Sequence, residues 1–376
     1  MTIGAEAPGQ DRCPGVLRLH EAADGWLARV RLPGGRIGAR ALDAIARSAT
    51  LGNGLIELTS RASVQIRGLP PHAADRCAAV LSAAGLLPSA DHDRVRNILA
   101  SPLAGRDPQS LSATDDLVVE LDRALCADDE LTALPGRFLF AVDDGTHFLG
   151  GHTADVALTA IDRDAFRLEL AGAATSRTAS RAQAPALALE AAREILRDPT
   201  LAAARLGAGG AAPHEPAPAT ARPRLELGMR RQADGRVALT MMPRLGRLDI
   251  DAVRSLGAIV RERQTELRLS AQRTLTLLDV DAATAEDTLE RLGAAGLISD
   301  PQSGWHGLSA CAGLGACAKA LLDVRGEAER RAKLRSAQAG LEHWSACGRR
   351  CGRPAEAHTA FTATPAGLEV QTTGPR

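Results

Sequence analysis

The chain has 376 residues, 45% of them apolar, which suits two or three lobes sharing or dividing a core rather than a small stapled domain. Its 45 Lys and Arg balance 45 Asp and Glu, so overall charge argues for neither nucleic acid nor an anionic membrane as partner. Aromatic residues make up 2% and Tyr is absent, which removes the platforms that base stacking needs.

The N-terminus from Met1 to Gly15 carries Glu6, Asp11 and Arg12 and no apolar stretch of signal-peptide length. No later segment has the ~20 consecutive apolar residues of a membrane span, so a soluble, cytoplasmic protein is expected. Seven cysteines in a long chain without export signals argue against a disulfide framework. Cys13, Cys77 and Cys126 read as inert thiols.

In chain order, residues 15–88 form a first unit. Trp26, Ala28 and Val30 alternate as a strand before Pro33-Gly34-Gly35, and Ala41, Leu42, Ile45, Ala46 and Ala49 recur at helical spacing. Alternation returns with Ile56, Leu58, Val64 and Ile66. A second helix then carries Ala73, Cys77, Val80, Leu81 and Ala84 on one face and stops at Gly85 and Pro88. Residues 91–203 read as α+β, with a helix over Asp116 to Leu134, strands at Phe138 to Val142, Val156 to Ile161 and Phe166 to Leu170, and a helix over Pro185 to Leu196. Residues 204–222, rich in Ala, Gly and Pro, read as a linker.

Residues 223–300 repeat the first unit. Gly35 to Leu87 overlies Gly246 to Ile298 without gaps at a constant offset of 211 residues, with Gly35/Gly246, Arg36/Arg247 and Leu58/Leu269 identical. Apolar positions exchange like for like at Ile37/Leu248, Ile45/Leu256, Val64/Leu275 and Ile66/Leu277. Residues 302–376 form a shorter, cysteine-bearing segment.

Within that segment, Cys311 and Cys317 enclose five residues and Cys347 and Cys351 enclose three. Two pairs imply one four-thiolate site. Small residues in Ala312-Gly313-Leu314-Gly315-Ala316 let backbone N–H groups approach sulfur and leave room for an inorganic cluster. Zinc ribbons favour two to four residues within each pair, so the five-residue gap tilts the reading toward a four-iron, four-sulfur (4Fe-4S) cluster, with one zinc as the alternative. Arg349 and Arg350 place positive charge beside the site.

This spacing, following a duplicated half-domain, resembles the nitrite/sulfite reductase superfamily. Leu58-Thr59-Ser60-Arg61-Ala62-Ser63-Val64-Gln65-Ile66-Arg67-Gly68 is similar to its Leu-Thr-Thr-Arg strand, Arg94-Val95-Arg96-Asn97-Ile98-Leu99-Ala100 to its Arg-Asn-Val segment, and Leu134-Pro135-Gly136-Arg137-Phe138 to its Leu-Pro-Arg-Lys-Phe run. The resemblance implies ferredoxin-like half-domains, a pocket for an anionic tetrapyrrole faced by Arg61, Arg96 and Arg137, and the cluster on Cys311, Cys317, Cys347 and Cys351. Guanidinium suits that role because it binds carboxylates bidentately and keeps its charge when partly buried.

Two departures matter. Leu139 stands where assimilatory sulfite reductases carry a second Lys, and Gln272 stands where the second copy would match Arg61, so one active site is expected. A shorter branch of the superfamily, the precorrin-3B synthases of aerobic cobalamin biosynthesis, is similar in its His343-Trp344-Ser345-Ala346-Cys347-Gly348-Arg349-Arg350-Cys351-Gly352-Arg353-Pro354 ending, and in Ala100-Ser101-Pro102-Leu103-Ala104-Gly105 and Phe140-Ala141-Val142-Asp143-Asp144-Gly145.

That likeness implies hydroxylation of precorrin-3A by molecular oxygen with lactone formation. Electrons would come from a donor the sequence does not name and pass through the cluster to a second iron centre, either non-haem iron or a sirohaem. His147, His152, Asp143 and Asp144 are non-haem iron candidates, although a polar turn is the reading favoured for them. A sirohaem-dependent sulfite or nitrite reductase is the alternative enzyme, and an electron carrier or zinc-stabilised module the non-enzymatic one. Metal analysis separates these branches: about four irons with matching sulfide supports the cluster, whereas one zinc removes it. Replacing Cys347→Ser should abolish cluster absorbance, while Arg61→Ala should leave it intact and weaken tetrapyrrole binding.

Overall fold

The computed structural model describes residues 13–149, 153–198, 224–354 and 356–374; the expected 204–222 linker lies outside them. The first copy runs β1 (His20–Ala22), β2 (Gly25–Val30), β3 (Arg36–Ile37), α1 (Ala39–Ala49), β4 (Ile56–Leu58), β5 (Val64–Leu69) and α2 (Ala74–Ala83). The alternation from Ile56 to Ile66 is therefore a hairpin. Its turn is closed by Thr59 N–H donating to the Ser63 carbonyl, and the Thr59 hydroxyl accepts from the Arg61 and Ser63 amides.

The middle segment builds β6 (Ile98–Ala100), α3 (Asp115–Cys126), β7 (Phe140–Asp143), β8 (Val156–Ala160), β9 (Ala165–Leu170), β10 (Ala173–Ser180) and α4 (Ala184–Arg197). The expected Asp116–Leu134 helix divides. The Asp128 carboxylate accepts from Glu130 N–H and starts a separate 3-10 turn at Asp129–Ala133. The sheet order is β10-β9-β8-β7-β6, with β6, β7 and β8 parallel and β9 and β10 antiparallel. β10 left no apolar alternation to read, because it is an edge strand of Ala, Thr, Ser and Arg whose residues are half-buried and exposed in turn. Leu117, Leu121, Phe140, Leu158, Phe166 and Leu189 form this unit's core.

The second copy repeats the first with β11 (Gly228–Arg231), β12 (Val237–Pro243), β13 (Arg247–Leu248), α5 (Ile250–Glu262), β14 (Leu267–Leu269), β15 (Leu275–Val280), α6 (Ala285–Ala294) and β16 (Leu297–Ile298). The copies exchange strands. β13 pairs with β4 in the first sheet, ordered β1-β2-β5-β4-β13, and β3 pairs with β14 in the second, ordered β11-β12-β15-β14-β3. Helices α1 and α5 pack together, and Leu42, Ile45 and Ile56 share one core with Val253, Leu256 and Leu267. Burying both apolar faces against each other explains why each copy's sheet needs the other copy.

The C-terminal segment forms β17 (Leu308–Ala310), α7 (Val324–Ala332), β18 (Glu342–Ser345), β19 (His358–Thr364) and β20 (Gly367–Thr373). β17, β18 and β19 are parallel and β20 antiparallel, the same sequence of senses as β6 to β9. Parallel neighbours require a crossover, supplied by α3 in one unit and α7 in the other. The duplication thus extends past the half-domains.

Gly35 and Gly246 mark the exchange. Both have positive φ, +66° and +71°, and a Cβ on Gly35 would stand 1.9 Å from the Leu269 carbonyl oxygen. Gly296 shares the left-handed conformation, with φ +82°, but has open space around it. Gly296→Ala should therefore cost only the backbone term of about 1–2 kcal/mol. Gly35→Ala should exceed it by at least about 2 kcal/mol, since the obstacle is backbone that cannot step aside. Equal losses in urea-unfolding midpoints would refute the strand-exchange contact as the cause.

Candidate functional site

Adjacent parallel strands end on the same side of their sheet, and crevices at their carboxyl ends are where α/β sheets place ligands. Cys311 directly follows β17 and its N–H continues the ladder to the Trp344 carbonyl of β18 at 2.9 Å. Cys347 lies two residues beyond β18. Left-handed turns at Gly313, Gly315 and Arg350 fold each loop back. The Ala346 N–H donates to Cys311 Sγ at 3.2 Å. The Cys351 thiol is pushed up by burial and by the neighbouring Cys311, Cys347 and Cys317 thiols, with Arg349 opposing. All four sequence-predicted cysteines are thus within electrostatic reach of one position. Among the described residues no group of three or more His, Cys, Asp and Glu side chains is gathered to hold a metal ion.

The first cysteine loop is held from outside by arginines that sequence reasoning missed. Arg67, 3% exposed, donates to the Ala316 carbonyl at 2.9 Å, Arg247 to the Ala312 carbonyl at 3.3 Å, and Arg325 to the Cys311 and Leu245 carbonyls at 3.0 and 3.1 Å. Glu57 binds the first two, with Arg247 Nε at 2.7 Å and Arg67 Nη1 at 3.2 Å, and Asp24 takes the rest of Arg67 at 2.7 Å. Burial works to raise the Glu57 carboxyl, but Arg67, Arg247 and Arg325 outweigh it and hold it below its ordinary 4.5. Burial, then repulsion from Arg247, lowers Arg325 to about 10. The only sequence signal was polarity inside apolar strands, Glu57 between Ile56 and Leu58 and Arg67 after Ile66; Arg325 gave none.

The second loop is pinned by His343 on β18. This fully buried imidazole contacts Cys351 O through Nε2 at 3.1 Å and Ser309 Oγ through Nδ1 at 2.8 Å. A carbonyl only accepts, so Nε2 carries the proton and Nδ1 accepts the Ser309 hydroxyl. Burial, then Arg273 and His358, push its pKa down to about 3. His343 is a neutral strut at physiological pH.

The three predicted anion-binding arginines have separate fates. Arg61 is half-buried and in electrostatic contact with Asp155, whose carboxylate also accepts from Leu139 N–H at 2.8 Å; Arg61 is thereby brought beside the stretch bearing exposed Arg137. Arg96 is 4% exposed and donates through Nε and Nη2 to Asp122 at 2.8 and 2.7 Å. Its guanidinium faces a protein carboxylate. Arg349 is exposed near Cys351, while Arg350 turns to Thr362 Oγ1 at 3.0 Å.

Sequence reasoning passed over Arg31, 1% exposed, which donates to Asn97 Oδ1 and the Pro14 carbonyl, both at 3.0 Å, and keeps Nη2 buried without a partner among the described residues. In the Asp143 loop, the Asp143 carboxylate accepts from Gly145 and His147 N–H and Asp144 from Thr146 N–H. Both carboxylates close turns. His152 lies outside the described residues.

Replacing Glu57→Gln keeps the shape and removes the charge that Arg67 and Arg247 share. Breaking the network this way leaves Arg247 without its carboxylate and Arg67 with Asp24 alone, so a stability loss of about 3 kcal/mol is expected at neutral pH by urea unfolding. Because the folded-state carboxyl titrates below 4.5, its contribution is present above that pH and is lost as pH falls through the folded value. The gap between wild type and variant should close in acid; a pH-independent gap would contradict the charge explanation.

Residues 20–84 and 230–295 match the nitrite/sulfite reductase ferredoxin-like half domain. Precorrin-3B synthase of Sinorhizobium sp is 25% identical over 398 residues, covering 96% of this chain and 82% of that protein. Ferredoxin–nitrite reductase of Synechococcus elongatus is 33% identical over 127 residues, 32% of this chain and 25% of that protein. The solved Mycobacterium tuberculosis NirA protein superposes with a TM-score of 0.73 at 19% identity, covering 92% of this chain and 73% of that one, which speaks to fold. The chain thus carries two copies of the nitrite/sulfite reductase ferredoxin-like half domain, the duplication seen in its fold.

Proposed function

We propose that the chain is an oxidoreductase of the precorrin-3B synthase type, hydroxylating precorrin-3A with molecular oxygen and closing a lactone, in cobalamin biosynthesis. The observation that supports this reading is that Cys311 and Cys347 follow the neighbouring parallel strands β17 and β18, with Cys317 and Cys351 in the same two loops, in a chain whose similarity to a precorrin-3B synthase spans 96% of its length.

The donor set fits a 4Fe-4S cluster on Cys311, Cys317, Cys347 and Cys351. Four thiols come from two loops, the first rich in small residues, a backbone N–H points at Cys311 Sγ, and Arg67, Arg247 and Arg325 hold the first loop's carbonyls from behind. When bound, such a cluster supplies electrons one at a time. Arg349 places positive charge beside Cys351, which favours the more negative, reduced state.

Arg61 and Arg137 bind ring carboxylates in this reading, each charge-assisted hydrogen bond contributing ~1.5–3 kcal/mol. Arg96 takes a different part from the one its motif implies. Its tie to Asp122 orients the Arg94–Asn97 segment, and reaching a substrate would require exchange of that carboxylate for the substrate's. His343 holds the Cys351 carbonyl and, neutral at pH 7, donates no proton to the reaction. A second iron centre, non-haem iron or sirohaem, belongs to the proposal. A non-haem iron on Asp143 and Asp144 would have to displace the amides of Gly145, Thr146 and His147.

A sirohaem-dependent sulfite or nitrite reductase is the second reading, supported by the likeness to ferredoxin–nitrite reductase. Leu139 weighs against it. Its side chain is 2% exposed, in the core, so no cation stands there to hold sulfite. Reconstituted protein incubated with precorrin-3A, oxygen and a reductant should yield a product one oxygen atom heavier; unchanged substrate mass, with strong haem absorbance and six-electron reductase activity, would replace this reading with the second.

A further inference from the structure

A cleft open to solvent lies between the second copy and the C-terminal sheet. None of Arg61, Arg96 and Arg137 lines it. Its polar wall is Arg224, Gln272, Arg273, His306, Arg353 and Glu356. Three guanidinium groups face one carboxylate. Arg224 pairs with Glu356 at 3.0 Å, Arg273 donates to the Gly352 carbonyl at 2.9 Å, and Arg353 makes no side-chain hydrogen bond or ion pair among the described residues. Burial and then Arg224 lower the His306 pKa, and the lining carries more positive than negative charge, with Glu57 acting on Arg273 from outside it.

The lining also holds an unused donor. Gln272 Oε1 accepts from Leu225 N–H at 3.3 Å, while its Nε2 is buried without a partner among the described residues. A buried amide left unbonded costs about 1–3 kcal/mol, which an acceptor in the cleft would recover. Leu225, Met242, Leu245 and Leu308 give the same cleft an apolar wall.

The repeat explains how the cleft arises. The β14–β15 turn shares three bonds with the β4–β5 turn: Ser270 N–H donates to the Thr274 carbonyl, and the Ser270 hydroxyl accepts from the Gln272 and Thr274 amides. At the 211-residue offset, Gln272 takes the place of Arg61, Met242 that of Arg31, and Arg273 that of Ala62. Ala62 and Arg273 share the left-handed conformation, φ +48° and +60°. The second copy thus gives up two cations on this face and restores one a residue later, beside two from outside the repeat.

We propose that this cleft binds an organic polycarboxylate, with two carboxylates on Arg273 and Arg353, the Gln272 amide donating to one of them, and the carbon skeleton against Leu225, Met242 and Leu245. Planar guanidinium groups match carboxylates bidentately, and the apolar wall selects an organic anion over an inorganic one. The site is independent of the reaction proposed above.

Isothermal titration of the full chain with tricarballylate, at constant ionic strength and against inorganic phosphate, tests it. One tricarballylate per chain should bind, with phosphate at least about tenfold weaker. Arg353→Gln, which breaks no bond among the described residues, should keep the unliganded melting temperature and weaken tricarballylate at least about tenfold; Arg273→Gln, which gives up the bond to the Gly352 carbonyl, should weaken it by at least as much. Absence of binding, equal affinity for phosphate, or undiminished binding to Arg353→Gln would each overturn the proposal.

Discussion

One carboxylate, Glu57, ties the repeated scaffold to the cysteine site. It sits where the strand exchange brings Arg247 of the second copy against β4 of the first, and it neutralises Arg247 and Arg67 together. Those guanidiniums then spend their remaining N–H groups on the carbonyls of Ala312 and Ala316. Without the carboxylate, half-buried Arg247 would lose its partner and buried Arg67 would keep Asp24 alone, at the place where the first cysteine loop is positioned. Rigidity at a ligand site comes from such supporting contacts behind it rather than from the ligands themselves.

Duplication supplies the geometry and divergence the chemistry. Two sheets with the same sequence of strand senses present their carboxyl-end loops to the paired half-domains. One set of loops carries cysteines. The other carries Asp143 and Asp144, whose oxygens close turns on neighbouring amides. The half-domain turns have parted in the same way, Arg61 in one copy against Gln272 and Arg273 in the other, although their backbone bonds are conserved. Fold and site therefore vary separately, as expected when chemistry is grafted onto a scaffold.

The contrast among the arginines shows what motif matching leaves undecided. Arg61, Arg96 and Arg137 were singled out together, yet one is half-buried near Asp155, one is locked to Asp122 and one is exposed. Local sequence resembles the family at each, less closely at Arg137. The partner that decides the outcome, a carboxylate 26 residues away for Arg96, is invisible in the motif.

Period and spacing alone determined the α+β class and the duplication, because apolar alternation and helical recurrence are local properties written within a few residues. Tertiary structure alone decided the strand exchange, the divided helix after Cys126, the Arg67–Ala316 contact across 249 residues and the cationic cleft. Each depends on which distant groups are buried together. Burial makes a charge seek its partner wherever the fold brings one, and no local pattern records that choice.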